Sequence, residues 1–161
     1  MKESKRIILV GRAASGKDFI RKKLEGQGFK YAVSYTTRPP RPGEVDGKDY
    51  IFLTPATAQD MIDRGDFYEW VMFNSWVYGT TTEQFYNDDV FIMTPSGLAH
   101  LSDEDRKRSF VIYIDIAEEI RRQRMLERNM PGDSVERRIE ADRKDFENFT
   151  NYDIRITNHD F

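Results

Sequence analysis

Apolar residues cluster in short uninterrupted runs at three places in the chain. Ile7 to Val10, entered through Arg6, has no polar alternation, and neither do Val90 to Thr94 and Phe110 to Ile116. Such runs suit strands covered on both faces, as in a parallel sheet. Between them the period changes to that of helices. Asp18 to Glu25 puts Phe19, Ile20 and Leu24 on one side and ends in Gly26-Gln27-Gly28, and Pro55 to Arg64 begins with proline and stops at Gly65. Ser96 to Leu101 predicts a short crossover helix. Glu118 to Asn129 predicts a longer one, with Ile120, Met125 and Leu126 apolar and Arg121, Arg124 and Arg128 spaced to share a face. After Pro131-Gly132-Asp133, Ser134 caps a further helix to about Asn148 that carries Arg137 and Arg138, and Asp153 to Thr157 supplies a last strand. Alternating strands and helices predict an α/β domain with a parallel sheet core flanked by helices.

The stretch from Phe29 to Thr81 has a different pattern. Phe29 to Ser34 alternates enough for a strand, Asp49 to Leu53 predicts another, and Phe67 to Phe73 with Trp76 to Tyr78 is aromatic-rich strand material. Tyr78-Gly79-Thr80-Thr81 then leads into a short helix. Tyr35 to Glu44 holds Pro39, Pro40, Pro42 and Gly43, which forbid helix and central strand, so it reads as a stiff, exposed connection carrying Arg38 and Arg41. A guanidinium already held in place loses less entropy on binding, and its planar fork matches phosphate or carboxylate oxygens. Glu69 lies inside Phe67-Tyr68-Glu69-Trp70-Val71-Met72-Phe73. Among such neighbours a carboxylate costs free energy unless something donates hydrogen bonds to it.

Composition narrows the classes. With 161 residues, 39% hydrophobic and 33% charged, the chain can bury one core but not two ordinary ones, so a single domain is expected. A net charge of −3 argues against a general nucleic-acid binder. There is no cysteine, which excludes disulfides, thiolate metal sites and thiol nucleophiles. No apolar run approaches the ~18 residues of a membrane span, and a cytoplasmic location is expected, with neither membrane nor nucleic acid as partner. His100 and His159 are isolated.

Candidate chemistry enters with Gly11-Arg12-Ala13-Ala14-Ser15-Gly16-Lys17-Asp18. Between a strand and a helix, G-x-x-x-x-G-K is a phosphate cradle. Its glycines let successive N–H groups turn inward, the helix start adds its positive dipole end, and Lys17 can follow β- and γ-phosphates through a transfer. The next position is normally Ser or Thr, a magnesium ligand. Here it is Asp18, still a hard oxygen ligand for Mg2+, directly or through water.

Several separated motifs in order resemble guanylate kinase, a P-loop nucleoside monophosphate kinase. They are G-R-A-A-S-G-K, then V-S-Y-T-T-R-P-P-R-P-G-E-V-D-G-K-D-Y, Y-E-W, Y-G-T-T, the arginine-bearing helices, and T-N near the end. The resemblance implies a P-loop kinase fold with a core of about 1–33 and 84–161, a small β-rich monophosphate-binding lobe of about 34–83, and a helical lid of about 124–140. It implies that Gly11, Ala13, Ala14, Ser15, Gly16, Lys17 and Asp18 hold ATP with Mg2+, and that Asn158 lies beside the adenine. Ser34, Glu69 and Thr80 would read a guanine edge, while Arg38, Arg41, Tyr50 and Tyr78 would hold the monophosphate. Lys17, Arg38, Arg128 and Arg138 would be catalytic, transferring the γ-phosphoryl of ATP to GMP or dGMP in a monomer or homodimer.

Asp18 is one departure from this family's pattern, and a second lies at a later strand. The acidic pair usual at the strand here written V-F-I-M-T-P-S-G is missing, and Asp88 and Asp89 lie at the wrong end of it. Asp18 is the candidate for part of the lost metal function. Ribose 1,5-bisphosphate phosphokinase shares both the G-K-D and the missing pair, and its A-H-L resembles Ala99-His100-Leu101. The acceptor therefore stays open between a purine monophosphate, another monophosphate and a sugar bisphosphate, with a non-catalytic binding module of guanylate kinase type as the alternative outside enzymes.

Overall fold

The structure is a computed structural model that describes residues 5–128 and 134–161. Asn129, the Pro131-Gly132-Asp133 break and the first residues of the chain lie outside the described residues. The elements are β1 (Arg6–Gly11), α1 (Lys17–Gly26), β2 (Tyr35–Thr36), β3 (Ile51–Phe52), α2 (Pro55–Arg64), β4 (Phe67–Phe73), β5 (Trp76–Thr81) and α3 (Thr82–Asn87). They continue as β6 (Val90–Ile92), α4 (Pro95–Leu98), α5 (Asp103–Lys107), β7 (Ser109–Ile114), α6 (Glu118–Arg128), α7 (Val135–Asp145) and β8 (Ile154–Ile156).

The apolar runs become an all-parallel sheet in the order β6-β1-β7-β8. Its central strand β1 shows why no alternation was visible: Ile8, Leu9 and Val10 all have zero exposure. Ile8 and Val10 face one layer with Phe85, Phe91, Leu98, Val111 and Phe146. Leu9 faces the other, with Ile114, Ile116 and the apolar sides of α1 and α6, represented by Ile20, Leu24 and Ile120. Burial on both faces stabilises each of these side chains by about 1.5–3 kcal/mol relative to exposure.

A second, mixed sheet in the order β3-β2-β5-β4 gathers the strands of the middle of the chain into a small lobe. The segment expected as a strand over Phe29 to Ser34 is not one. It touches the core sheet at a single bridge, Tyr31 to Val90, with Ala32 N donating to Val90 O at 2.9 Å. Two residues later Ser34 O accepts from Ile51 N at 2.9 Å, so the chain has already left for the lobe sheet. A ladder cannot extend when its carbonyls turn toward different sheets.

Helix boundaries follow the caps. Thr54 caps α2, with Pro55 at its first position and Gly65 in the left-handed region at its end. Thr81 and Gln84 form a reciprocal capping box on α3, and Ser134 accepts from Arg137 N to start α7. The crossover after β6 holds two short helices where one was expected. Ser102 caps the second, α5, whose first turn is acidic and last turn basic. Asp105 on α5 accepts from both Tyr68 (2.5 Å) and Tyr86 (3.0 Å), which ties the lobe to the core.

Candidate active site

A cleft open to solvent runs between the two sheets. Of the residues singled out by sequence, Gly11, Ala13, Lys17, Asp18, Ser34, Arg38, Arg41, Tyr50, Glu69, Tyr78 and Arg138 all line it. They come from the loop after β1, from the segments around β2 and β3, from β4 and β5, and from α7.

The loop after β1 has the form its spacing predicts. Ala14 has φ 60° and Gly16 has φ 100°, so two positions of the loop take the left-handed backbone from which phosphate-binding concavities are built, while Ser15 N donates back to Arg12 O at 3.2 Å. Gly16 meets this requirement at little cost. Ala14, with a Cβ, does so under strain of about 1–3 kcal/mol, an expense usually found at functional loops. Lys17 Nζ donates to Gly11 O at 2.5 Å. Burial holds the Lys17 ammonium below its ordinary pKa; Asp142 and Asp18 oppose that effect, and Arg138 and Arg128 reinforce it. A lysine crowded by burial and two guanidinium groups is one whose charge is best relieved by an anion.

The opposite wall is built from side chains. The proline-rich connection is exposed at Pro39, Pro40, Pro42 and Gly43, as expected, while Arg38 within it is only 3% exposed. The reason is Glu44. Its carboxylate takes both arms of Arg38, at 2.9 and 2.8 Å, and also accepts Arg41 N at 2.6 Å. This bidentate pair raises the Arg38 pKa and lowers that of Glu44, each against the opposing effect of burial. Arg41 is half-buried; burial, then Arg38 and Arg138, lower its pKa. Arg38 lies 5.1 Å over the Tyr50 ring, and Tyr50 packs edge-on against Tyr78 at 6.1 Å. Burial pushes the Tyr50 hydroxyl up to about 12, so it remains a neutral donor. One clamped guanidinium, a second half-buried one beside it and phenolic hydroxyls thus gather on one wall of the cleft, a set whose chemistry suits an anion.

Glu69 closes the deep end. It is 5% exposed, and burial pushes its carboxyl up to about 7; the Thr80 hydroxyl and main chain and the nearby His100 pull the other way. Thr80 pairs with Glu69 across the β4–β5 ladder and is buried behind it, and Ser34 is buried beside them. A carboxylate held between apolar strands, with room in front of it, recognises donor groups in a line, such as a ring N–H next to an exocyclic amine.

Other expected residues stand away from the cleft lining. Ser15 is fully buried, Arg128 is exposed at the last position of α6, and Asn158 is exposed, its Oδ1 accepting from Asp160 N. Asp18 lines the cleft mouth and accepts from Arg21 at 3.1 Å. Among the described residues no three acidic or histidine side chains form a metal cage. One carboxylate beside a phosphate loop still fits Mg2+, which commonly takes one or two carboxylates and completes its shell with phosphate oxygens and water.

The cleft also holds residues that the sequence reading did not assign. Asp142, on α7, accepts Ala13 N at 2.9 Å and stands 4.0 Å from Arg121. Asp142 lies four residues after Arg138, so helical spacing alone would have put the two on one face. Arg124 donates to Ala14 O at 2.9 Å, which brings α6 onto the loop as well. Glu44 was visible within the R-P-P-R-P-G-E motif, but no role was assigned to it.

Comparisons with known proteins agree with this geometry. The family model described as Guanylate kinase matches residues 3–161. The chain is 30% identical to a guanylate kinase of Rubrobacter xylanophilus, over all of this chain and 89% of that protein. It is 38% identical to one of Aster yellows witches'-broom phytoplasma over 67% of this chain and 56% of that one, and 30% identical to the Sus scrofa protein over 88% and 76%. The matched segment spans little more than half of the phytoplasma relative and about a third, 34%, of one from Novosphingobium aromaticivorans. In fold it is similar to the crystal structure of guanylate kinase from Anaplasma phagocytophilum, with TM-score 0.73, 23% identity, and coverage of 98% of this chain and 79% of that one.

Proposed function

The chain belongs to the guanylate kinase family, and from that premise we propose that it transfers the γ-phosphoryl group of ATP to GMP or dGMP, giving GDP or dGDP. The observation that carries this reading is that Lys17 and the loop after β1 share one cleft with Arg38 and Arg41. Two phosphate-bearing substrates repel at about 4 kcal/mol per pair of unit charges 4 Å apart in a partly screened site. Positive groups on both walls offset that repulsion and align donor and acceptor, and this phosphoryl transfer needs no covalent intermediate.

In this reading the loop from Gly11 to Asp18 cradles the β- and γ-phosphates, and Lys17 moves with the group in flight. Arg38 and Arg41 hold the acceptor phosphate, with Tyr50 and Tyr78 donating to it. Glu69 in its charged form accepts from the ring N–H and exocyclic amine of guanine, with Ser34 and Thr80 completing the base contacts. Arg138 already lines the cleft and lies 5.4 Å from the Phe73 ring, so it is poised to reach the transferring oxygens, with Arg128 joining from the end of α6. Asn158 would lie beside the adenine. Asp18 would hold Mg2+, which would supply positive charge against that of the phosphates. Among the described residues no helix is long and apolar enough to cross a membrane.

The test is ATP consumption, with and without Mg2+, against a panel of nucleoside monophosphates and ribose 1,5-bisphosphate. Turnover preferring GMP or dGMP is expected. Preference for the sugar bisphosphate, or ATP binding without turnover of any acceptor, would overturn the reading.

A further inference from the structure

Gly97 sits in α4, on the core side of the cleft, within a right-handed helix whose conformation does not demand glycine. Its surroundings do. A Cβ built there would stand 2.6 Å from Glu69 Oε2 and 3.2 Å from Glu69 Cδ, with Thr94 Oγ1 next at 3.4 Å. The closest of these is nearer than real Cβ atoms approach, so something must yield.

The helix is the stiffer partner. Gly97 N donates to Thr94 Oγ1 at 3.0 Å, Leu98 N donates to Thr94 O at 2.9 Å, and Leu98 is 1% exposed in the core. The free end of the Glu69 side chain is the softer one. The carboxylate from the lobe therefore rests on bare backbone contributed by the core.

We propose that Gly97 is a positioning residue for acceptor choice: its missing side chain leaves the space in which the Glu69 carboxylate stands to read the base. The proposal rests on the reading of this cleft as a nucleoside monophosphate site. It locates a determinant of selectivity outside the lobe that carries the reading residue. It also explains how one carboxylate can define a base edge when the strand preceding α4 supplies no second one: the seat removes the freedom that a partner would otherwise remove.

The experiment is steady-state kinetics of Gly97→Ala, Glu69→Asp and the double variant, with thermal midpoints measured alongside. Gly97→Ala is expected to raise KM for GMP at least tenfold while kcat, KM for ATP and the midpoint stay close to those of the unchanged protein. Glu69→Asp alone should be harmful. In the Gly97→Ala background it should instead recover part of the loss, because the shorter side chain clears the added methyl. An unmoved KM for GMP in Gly97→Ala, or Glu69→Asp equally harmful in both backgrounds, overturns the proposal. Loss of stability together with a rise in both KM values would mark Gly97 as a packing residue and overturn it too. No GMP turnover by the unchanged protein would overturn the function reading first, and this inference with it; turnover with an unmoved KM in the variant overturns the inference alone.

Discussion

On the proposed reading each wall of the cleft holds a phosphate, and the two do so by different means. The wall after β1 uses backbone: a loop bent by Ala14 and Gly16, the start of α1, and one cation, Lys17, held on Gly11 O. The lobe wall uses side chains whose geometry is fixed by other side chains, with Arg38 clamped by Glu44 and stacked over Tyr50. A backbone nest is indifferent to what carries the phosphate. A clamped guanidinium next to a buried carboxylate is not, so on the proposed reading discrimination belongs to the second wall and group transfer to the first.

The largest expected effect separates the walls outright. Lys17→Ala should lower kcat by about 10³, in line with the loss of a preorganised transition-state partner, with KM for GMP little changed. Next comes the clamp. Glu44→Gln breaks a charge-assisted pair that also anchors Arg41, an interaction of about 1.5–3 kcal/mol, so KM for GMP should rise at least tenfold while KM for ATP holds. Loss of ATP affinity instead would mean the walls are not separable.

Glu69 gives a pH test of intermediate size. Its carboxyl titrates near 7 in the folded protein against an ordinary 4.5. A folded-state value above the unfolded one contributes stability that is fully present below about pH 4.5 and lost as pH rises through 7, about 3 kcal/mol across that window. Glu69→Gln should flatten this slope in denaturant titrations. Guanine needs the charged form, so KM for GMP should fall about tenfold from pH 6 to pH 8, and the glutamine variant should lack that dependence. The smallest effect is expected from Asp142→Asn, which keeps an acceptor for Ala13 N but removes a charge that raises the Lys17 pKa. The alkaline limb of kcat should move to lower pH, with only a few-fold change near neutrality.

The same contrast explains what was legible in the sequence. Backbone devices announce themselves by spacing: the G-x-x-x-x-G-K loop, the Pro55 start and Gly65 stop of α2, and the Ser134 cap of α7 all fall where the pattern puts them. Side-chain devices depend on partners far along the chain. The hydrogen bond from Ala13 to Asp142 spans 129 positions, and no local pattern pairs Gly97 with Glu69. The prolines mark the connection around Arg38 as stiff and exposed, but the burial of Arg38 itself depends on Glu44 folding back on it. The missing strand over Phe29 to Ser34 has a related cause, since alternation cannot show that its carbonyls divide between two sheets.

The most direct measurement is a crystal structure with GMP and a non-hydrolysable ATP analogue bound together. The account predicts the analogue's γ-phosphate on Lys17 and the loop N–H groups, the GMP phosphate on Arg38 and Arg41, and guanine against Glu69. A GMP phosphate seated away from both arginines, or a base pointing away from Glu69, would contradict it.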